Sequence, residues 1–498
     1  MYKAPWCWLL WTLSSANGLT PSHNRHPRFE GSPTDCAVVA SMASTGTDHL
    51  VETTVDSVSL LSIIQKSFPE ATSYSVRDNI KQANAEGFRV VLEGIEKEND
   101  SSTSLFIKKV KAREYSHKPW GDLRRTLLYS RTEARFYTDI LPLMREKTKT
   151  ANSKWSIAPN CFYAETILDG LVGEDESTSA SKGESASDPF YNETDTAILD
   201  HKGGLLVLES LGGDFYQKSP LTPEEATECL RAVAGFHATA YEDAAMLKVV
   251  SDRLCEYGGS YHLRNRNPKE LKNIQTTWAE FCKRVGSAAP EVFERPSVVN
   301  LAKRVQDMAE SISEELSPAY NDKYATIVHG DYKAMNVFLA ADKTEEGKEC
   351  AAVAASPLPI IIDFASTGVG LGISDVAMHI THAVPPEHLV DGGEEKLVET
   401  YLDALNKALP DHSRPCYPRD VAMRHYRLAV IDYFRFIMGR LWRGASLETF
   451  EKRKDSMNSV YVNRNIDAAI NLIERADSYL TIFEEESRMN TGRSNMTQ

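Results

Sequence analysis

The sequence has little that would anchor the chain in a membrane or attach it to nucleic acid. Its apolar run near the start, Ala4–Leu13, is too short to cross a bilayer. Positive charge is not in excess either, because 56 Lys and Arg face 70 Asp and Glu, which gives a net charge of −14. A general affinity for nucleic acid or anionic lipid needs the opposite sign. We therefore expect no nucleic-acid partner and no stable membrane insertion, although a local cationic site is compatible with this charge.

Cysteine is sparse and scattered. The 8 cysteines form no Cys-x-x-Cys pair and no close Cys/His cluster, so the pattern indicates neither a zinc site nor a disulfide framework. Glycine (27) and proline (22) are at ordinary levels and hydrophobic residues make up 42%, which excludes collagen-like and wholly disordered chains. The composition is that of a folded globular protein, and the cysteines favour a reducing compartment.

The first residues allow two interpretations. Lys3, the run Ala4–Leu13 and the small residues Ser14–Ala16 resemble a targeting leader with a cleavage site. The run contains three tryptophans, which are unusual in a signal core, so an unstructured start is the alternative. We expect a cytoplasmic protein, or one in an organelle or the secretory pathway if residues 1–16 are a true signal.

The next part of the chain predicts a small antiparallel sheet and a helix. Phe88–Leu92 and Leu105–Val110 are β-branched or aromatic runs joined by a polar stretch, which is typical of two antiparallel strands. Apolar positions across 126–141 follow a helical spacing, and we expect Pro142 to end that helix. Residues 172–196 are rich in Ser, Glu and Asp and predict a disordered insertion.

The second half is predicted to be mostly helical. A short apolar strand, Leu205–Leu208, leads into a turn-rich break at Glu209–Gly213 that suits a hinge. Thr222–Glu225 has the residues of a capping box at a helix start. Two apolar segments, Ile327–Val328 and Ile360–Ile362, resemble short strands within the helical part.

These boundaries divide the chain into four segments of an α+β protein. We expect a leader or disordered arm (1–50), an N-lobe containing the sheet (51–208, with the insertion 172–196), a helical C-lobe that carries the chemistry (209–480) and a flexible tail (481–498).

The strongest chemical signal is a pair of motifs in the helical part. His329–Asn336 reads H-G-D-Y-K-A-M-N, and Ile360–Ala365 reads I-I-I-D-F-A. A phosphoryl-transfer site needs one carboxylate to orient the attacking hydroxyl, and an Asn with a second carboxylate to hold Mg²⁺ against the nucleotide. Asp331, Asn336 and Asp363 supply these groups with the spacing of a kinase catalytic loop and metal motif.

A simpler interpretation treats these three side chains as turn formers and a strand-end cap. The order of features along the chain argues against it. A strand lysine, a helix glutamate, a hinge, H-G-D-x-x-x-x-N and I-D-F follow one another as they do in kinases.

At these motifs the sequence resembles the aminoglycoside phosphotransferase and choline kinase group, most closely its ecdysteroid-kinase-like or CHK-kinase-like branch. The resemblance covers roughly residues 60 to 475. It is carried by Phe106–Lys108, Glu133–Tyr137, Leu206–Leu211, Val328–Asn336 and Ile362–Ala377. It implies a protein-kinase-like bilobal fold, with a small antiparallel-sheet N-lobe and a mostly helical C-lobe. It also implies ATP and Mg²⁺ as cosubstrate and metal, and a small-molecule alcohol as acceptor.

The resemblance assigns roles residue by residue. Asp331 would be the catalytic base, Asn336 and Asp363 the Mg²⁺ ligands, and Lys108 the lysine on the phosphates, paired with Glu133. A lysine beside phosphates must stay charged and keep one rotamer, and a helix carboxylate achieves both.

Other parts of the nucleotide site follow from the same resemblance. The backbone of Glu209, Ser210 and Leu211 would face the adenine edge. Lys109 adjoins Lys108, and because strand residues alternate, only one of the two reaches the cleft; we prefer Lys108.

The resemblance also implies supporting roles for other residues, and the sequence departs from the family pattern in some places. His329 and Asp375 would brace the catalytic loop, with a simple N-cap as the alternative for Asp375. Lys333 stands where many members of this branch have Trp, and it could touch the transferring phosphate. No glycine-rich loop precedes the strand lysine, so the group that covers the phosphates is left open.

The predicted function is ATP-dependent phosphorylation of a hydroxyl group on a small molecule. A pseudokinase that binds nucleotide or a partner is the alternative, and a protein kinase is less favoured because no A-P-E motif follows I-D-F. The net charge and an aromatic stretch at 426–436 favour a neutral or cationic alcohol, with Met378, His379 and His382 as further pocket candidates. The same residues could equally form the core of a buried helix. Sequence gives no oligomeric state.

Overall fold

The computed structural model describes most of the chain, namely residues 60–81, 85–95, 103–149, 157–173, 197–341, 358–410, 417–457 and 459–496. The predicted leader 1–50 and nearly all of the predicted insertion 172–196 lie outside these ranges.

A five-stranded antiparallel sheet forms the first part of the fold, in the order β1-β2-β3-β5-β4. Its strands are β1 (Ser73–Lys81), β2 (Glu86–Glu93), β3 (Ser104–Lys111), β4 (Cys161–Ile167) and β5 (Gly203–Glu209). The antiparallel pair predicted from the two apolar runs is confirmed, with Phe88 opposite Ile107. Alternation along β3 sends Leu105 and Ile107 into a core with the short helix α1 (Leu60–Gln65), whereas Phe106 and Lys108 line a cleft on the other face.

The helix that crosses this sheet does not end where the sequence suggested. Helix α2 (Trp120–Arg135) continues through a π-helical turn (Phe136–Ile140) into α3 (Leu141–Lys149). Pro142 therefore does not end the helix, and the prediction that it would is wrong. Pro142 directly follows the π-helical turn, where the regular α-helical hydrogen-bond ladder is already interrupted, so its missing N–H costs less than in an uninterrupted helix.

The second part is mostly helical, as predicted. Its helices are α4 (Pro223–Ala238), α5 (Ala244–Arg253), α6 (Pro268–Lys272), α7 (Ile274–Val285), α8 (Pro290–Phe293), α9 (Pro296–Val299), α10 (Leu301–Glu315), α11 (Gly372–Ala383), α12 (Gly393–Ala408), α13 (Arg419–Phe436), α14 (Leu447–Arg453) and α15 (Ile466–Met496). The α+β class with a sheet-containing part and a helical part is confirmed. The capping box at Thr222 is present, with both reciprocal hydrogen bonds to Glu225.

Short strands place the two sequence motifs side by side. They are β6 (Phe215–Tyr216), β7 (Ala325–Val328), β8 (Val337–Ala340), β9 (Ile360–Ile361) and β10 (Gly368–Leu371). Strand β7 pairs antiparallel with β10, and β8 pairs antiparallel with β9. The H-G-D loop connects β7 to β8 and the I-D-F loop connects β9 to β10, so the two ladders hold the loops together.

Helix α15 differs from the prediction for the end of the chain. It runs on to Met496, through most of the segment 481–498 that the sequence suggested to be a flexible tail. Phe483 is buried there, and Arg304 on α10 forms an ion pair with Glu484 at 2.8 Å. The buried apolar positions of α15 keep a helical spacing as far as Phe483, and beyond Phe483 the sequence no longer shows that spacing.

None of the helices in the described ranges combines the length with the apolar character that a membrane crossing requires.

Candidate active site

A cleft of about 390 Å³ lies between the sheet, α2 and the two motif loops. Its lining includes most of the side chains singled out in the sequence: Lys108, Glu133, Asp331, Lys333, Asn336 and Asp363. The backbone segment Glu209–Leu211 lines it as well.

Lys108, and not Lys109, reaches the cleft. Lys109 is 2% exposed and is absent from the lining. Burial and the neighbouring Lys111 lower the pKa of Lys109 to about 8. Strand alternation thus separates the two lysines as expected.

Lys108 is held by two carboxylates that belong to distant parts of the chain. Its Nζ lies 2.6 Å from Glu133 Oε2 on α2 and 2.9 Å from Asp363 Oδ1 after β9. Burial alone would lower the pKa of Lys108, but Asp363 and Glu133 raise it above its ordinary value. The ammonium group is therefore charged at every physiological pH.

The two carboxylates around this single lysine differ in their ionisation. Glu133 is almost fully buried, and burial raises its pKa to about 7 although Lys108 opposes the shift. Asp363 is 31% exposed, and Lys108 and Lys333 hold its pKa below the usual range against the effect of burial. One cation cannot neutralise two carboxylates completely, so the more buried one takes the upward shift.

The Asp331 carboxylate lies at the centre of the H-G-D loop. Its Oδ2 accepts hydrogen bonds from Lys333 Nζ at 2.7 Å and from Asn336 Nδ2 at 3.4 Å. Asn336 Nδ2 also donates to the Asp331 carbonyl at 2.9 Å, which closes the loop. Burial raises the pKa of Asp331, although the charge of Lys333 opposes this. A carboxylate of raised pKa is a stronger proton acceptor than a free one.

Asp375 fixes the backbone of this loop. Its carboxylate accepts from the N–H of His329 at 2.7 Å and from the N–H of Gly330 at 2.9 Å, and it lies 3.1 Å from Nε2 of the buried His237. Asp375 lies inside the first turn of α11, whose N-cap residue is Leu371, so it is not a simple N-cap. His329 in turn bonds through Nε2 to the Ile362 carbonyl at 2.9 Å, which ties the H-G-D loop to the I-D-F loop.

Two backbone positions require unusual conformations. Gly330 has φ of 77°, and a Cβ there would lie 2.2 Å from the Ser366 carbonyl oxygen. Asp363 has φ of 65°, in the left-handed region that few side chains other than Asp and Asn adopt. The next residue, Phe364, stacks on Phe136 at 3.7 Å between ring centroids. Phe136 opens the π-helical turn after α2, so this turn and the conformation of Asp363 are linked by one aromatic contact.

A pair of oxygen donors could hold a magnesium ion. Asn336 Oδ1 is buried and has no hydrogen-bond partner among the described residues, and the Asp363 carboxylate lines the same cleft. An orphaned buried amide oxygen is costly unless it has a ligand. Mg²⁺ uses one or two protein oxygens and takes its other ligands from water and phosphates, so these residues fit it. The described residues contain no group of three or more His, Cys, Asp or Glu that could hold a metal without such help.

The backbone of Glu209, Ser210 and Leu211, which is expected to face the adenine of a nucleotide, lies at the end of β5. The N–H groups of Glu209 and Ser210 donate to the carbonyls of Asn160 and Ser104, at 2.8 and 3.3 Å. The Leu211 N–H donates to no backbone carbonyl in the part of the chain that the structure describes. Leu211 lines the cleft, so its N–H is a candidate donor to a ligand there.

The suggested substrate pocket in the helical part is mostly core. Met378, His379 and His382 are all buried, and none of them lines the cleft. From the aromatic stretch 426–436 only Phe436 reaches the cleft. The alternative interpretation of these residues, as the core of a buried helix, fits the structure.

Sequence reasoning missed a group of cationic and phenolic side chains at one end of the cleft, Arg125, Tyr129, Arg266 and Arg440. Arg125 and Tyr129 could have been found from the sequence. They lie eight and four residues before Glu133, which places all three on one face of α2. Arg266 and Arg440 lie on separate segments whose approach only the fold determines.

Comparisons with known proteins found one matching family and several similar solved structures. The sequence pattern of the ecdysteroid kinase-like family matches residues 84–413. Similar solved structures include a microcompartment-associated aminopropanol kinase (13% identity, 86% of this chain, 98% of that chain, TM-score 0.39). They also include an aminoglycoside phosphotransferase from Alicyclobacillus acidocaldarius (9%, 85%, 95%, 0.39) and an ethanolamine kinase from Plasmodium vivax (11%, 84%, 85%, 0.35). No curated protein sequence matches the chain significantly.

The ionisation of Glu133 generates a prediction for stability. Its pKa in the fold, about 7, is above the ordinary 4.5, so its contribution to stability is complete below pH 4.5 and is lost as pH rises through 7. Glu133→Gln removes this loss. We expect the midpoint of thermal unfolding of the variant to rise relative to the original chain between pH 5 and pH 8, by on the order of 2 °C.

The matched control is Glu310→Gln, at an exposed position on α10. Its midpoint should follow that of the original chain at every pH. If the unfolding midpoints of Glu133→Gln and the original chain changed in parallel between pH 5 and pH 8, Glu133 would not titrate in this range.

Proposed function

The chain belongs to the ecdysteroid kinase-like family, and from this we propose that it transfers the γ-phosphoryl group of ATP to a hydroxyl group of a small molecule. One observation carries the proposal: the Lys108 ion cluster and the Asp331–Asn336 loop line the same cleft. Phosphoryl transfer depends mainly on positioning and charge stabilisation, and this cleft offers groups for both.

In this proposal Lys108 binds the nucleotide phosphates. Glu133 and Asp363 keep its ammonium group charged and in one position before ATP arrives. The Leu211 N–H faces the adenine edge.

Asn336 Oδ1 and the Asp363 carboxylate are the groups that would hold Mg²⁺. The chemistry that the ion supplies when bound is neutralisation of charge on the phosphate oxygens. Asn336 is suited to this role because its Nδ2 already bonds to the Asp331 carbonyl, which directs Oδ1 away from the loop.

Asp331 would accept the proton of the acceptor hydroxyl. As the hydroxyl oxygen forms its bond to the γ-phosphorus, the bond from that phosphorus to the ADP oxygen breaks and the hydroxyl proton passes to Asp331. Lys333, 2.7 Å from the same carboxylate, orients it and places a positive charge beside the transferring group. An oriented base at this point holds the acceptor hydroxyl in position and takes up its proton.

The pseudokinase alternative predicts nucleotide binding without transfer. Against it, Lys108, Asp331, Asn336 and Asp363 are all retained, and each contacts at least one other member of the cleft. A scaffold that only binds nucleotide has no need of Asp331.

The experiment is a screen of metabolite alcohols with Mg²⁺ and ATP, with mass detection of a phosphorylated product. Asp331→Asn is the matched control, because it keeps the size of the side chain and removes the proton acceptor. For any accepted alcohol, we expect this variant to lose at least about 100-fold in turnover while ATP affinity changes little.

Three outcomes would contradict the proposal. Turnover of Asp331→Asn within about tenfold of the original chain would exclude the base role. ATP binding with no transfer to any member of a broad library would favour the pseudokinase. Phosphorylated protein as the product would favour a protein kinase.

A second prediction concerns the metal ligands. Asn336→Ala and Asp363→Ala should each weaken binding of Mg·ATP, and the double variant should lose less than the sum of the two losses, because both side chains hold the same ion. Titration with ATP at several Mg²⁺ concentrations measures this. Strictly additive losses would show that the two residues act on separate sites.

A further inference from the structure

One face of α2 lines the cleft beyond the residues that are proposed to bind the nucleotide. Arg125, Tyr129 and Glu133 follow one another at intervals of four residues, and all three line the cleft. The eight residues from Glu133 back to Arg125 advance about 12 Å along the helix axis. Arg125 therefore lines a part of the cleft well away from Lys108.

Two arginines from the helical part meet this end. Glu270 accepts hydrogen bonds from Arg266 at 2.9 and 2.6 Å and from Arg440 at 2.8 Å. Arg266 also lies over the Phe436 ring, 5.1 Å from its centroid. Both guanidinium groups are therefore fixed before any ligand binds, and a fixed group loses little conformational entropy on binding.

The arginine end adjoins the catalytic loop. The Ser260 N–H donates to the Gly330 carbonyl at 2.9 Å, and the Ser260 carbonyl accepts from Arg266 Nη1 at 3.3 Å. Gly330 directly precedes Asp331. A molecule that touches the arginines can therefore present a hydroxyl group to Asp331.

Positive charge exceeds negative charge at this end. Its cationic side chains are Lys118, Arg125, Arg266 and Arg440, and the carboxylates that pair with the arginines are Asp122 and Glu270. Among the described residues, Arg440 donates only to Glu270 and Arg125 only to Asp122. Each guanidinium has five N–H donors, so several remain for a ligand. Burial and the nearby Arg266 lower the pKa of Arg440, the effect expected where like charges crowd together.

A phenol completes the donor set. The Tyr129 hydroxyl is buried in the cleft and has no hydrogen-bond partner among the described residues. Burial raises the pKa of Tyr129, so the hydroxyl keeps its proton and can donate it in a hydrogen bond. Guanidinium and phenol donors together suit an oxyanion, whereas the guanidinium groups would repel an ammonium group.

We propose that the acceptor alcohol carries a carboxylate group, which binds Arg125, Arg440 and the Tyr129 hydroxyl. This inference rests on the proposed function, and it differs from the neutral or cationic acceptor that the net charge suggested. The site assigns the anion to the arginine end and the reacting hydroxyl to Asp331.

The test measures binding and transfer separately. Isothermal titration calorimetry on the full chain with Mg²⁺ and ADP would compare aliphatic, aromatic and polycyclic hydroxy acids with their methyl esters. We expect at least one acid to bind about tenfold more tightly than its ester. In Arg440→Gln and in Arg125→Gln that preference should fall to about threefold or less, with ADP affinity unchanged.

Arg231→Gln, at an exposed position on α4, is the matched control and should keep the full preference. The inference is overturned if no acid binds more tightly than its ester, or if the two arginine variants lose ADP affinity as much as acid affinity. The same pairs are then assayed for phosphorylated product. Binding that depends on the arginines, without transfer, would support the oxyanion site and contradict the kinase proposal. Transfer to neutral or cationic alcohols that is unchanged in both arginine variants would support the kinase proposal and contradict the oxyanion site.

Discussion

The ammonium group of Lys108 is the point on which the site depends. It joins strand β3 to helix α2 through Glu133 and to the loop after β9 through Asp363. The partners lie 25 and 255 residues away in the chain, so one side chain connects the sheet, the helix and the helical part. Lys108 contacts two carboxylates and can neutralise only one of them fully. The site therefore keeps negative charge that attracts a further cation, as expected of the proposed Mg²⁺ site.

Local features of this architecture were predictable from sequence, and features that need tertiary contact were not. The strands around Phe88 and Leu105, the capping box at Thr222 and the strands that precede the two motifs follow from residue pattern over a few positions. Pro142 was misread because the π-helical turn that precedes α3 is held by the stack of Phe136 on Phe364, a contact between distant segments. The extent of α15 depends on ion pairs such as Arg304–Glu484, which no local pattern shows.

The proposed acceptor end of the cleft has a local charge that differs in sign from the net charge of the chain. The whole chain carries −14, yet Arg125, Arg266 and Arg440 converge where an alcohol would bind. Charges farther apart than about 10 Å are largely screened in salt, so a buried ligand responds to its immediate neighbours. The spacing of Arg125, Tyr129 and Glu133 predicts that they share one helix face. No sequence pattern predicts that Arg440 lies close to that face.

The central claim is that the Lys108 cluster and the Asp331–Asn336 loop form one Mg·ATP site. A crystal structure of the full chain with Mg²⁺ and a non-hydrolysable ATP analogue tests it most directly. The account predicts phosphate oxygens on Lys108 Nζ, the metal on Asn336 Oδ1 and Asp363, and the γ-phosphate facing Asp331. A nucleotide bound outside this cleft, or phosphates bound there with Asn336 Oδ1 turned away from the metal, would contradict it.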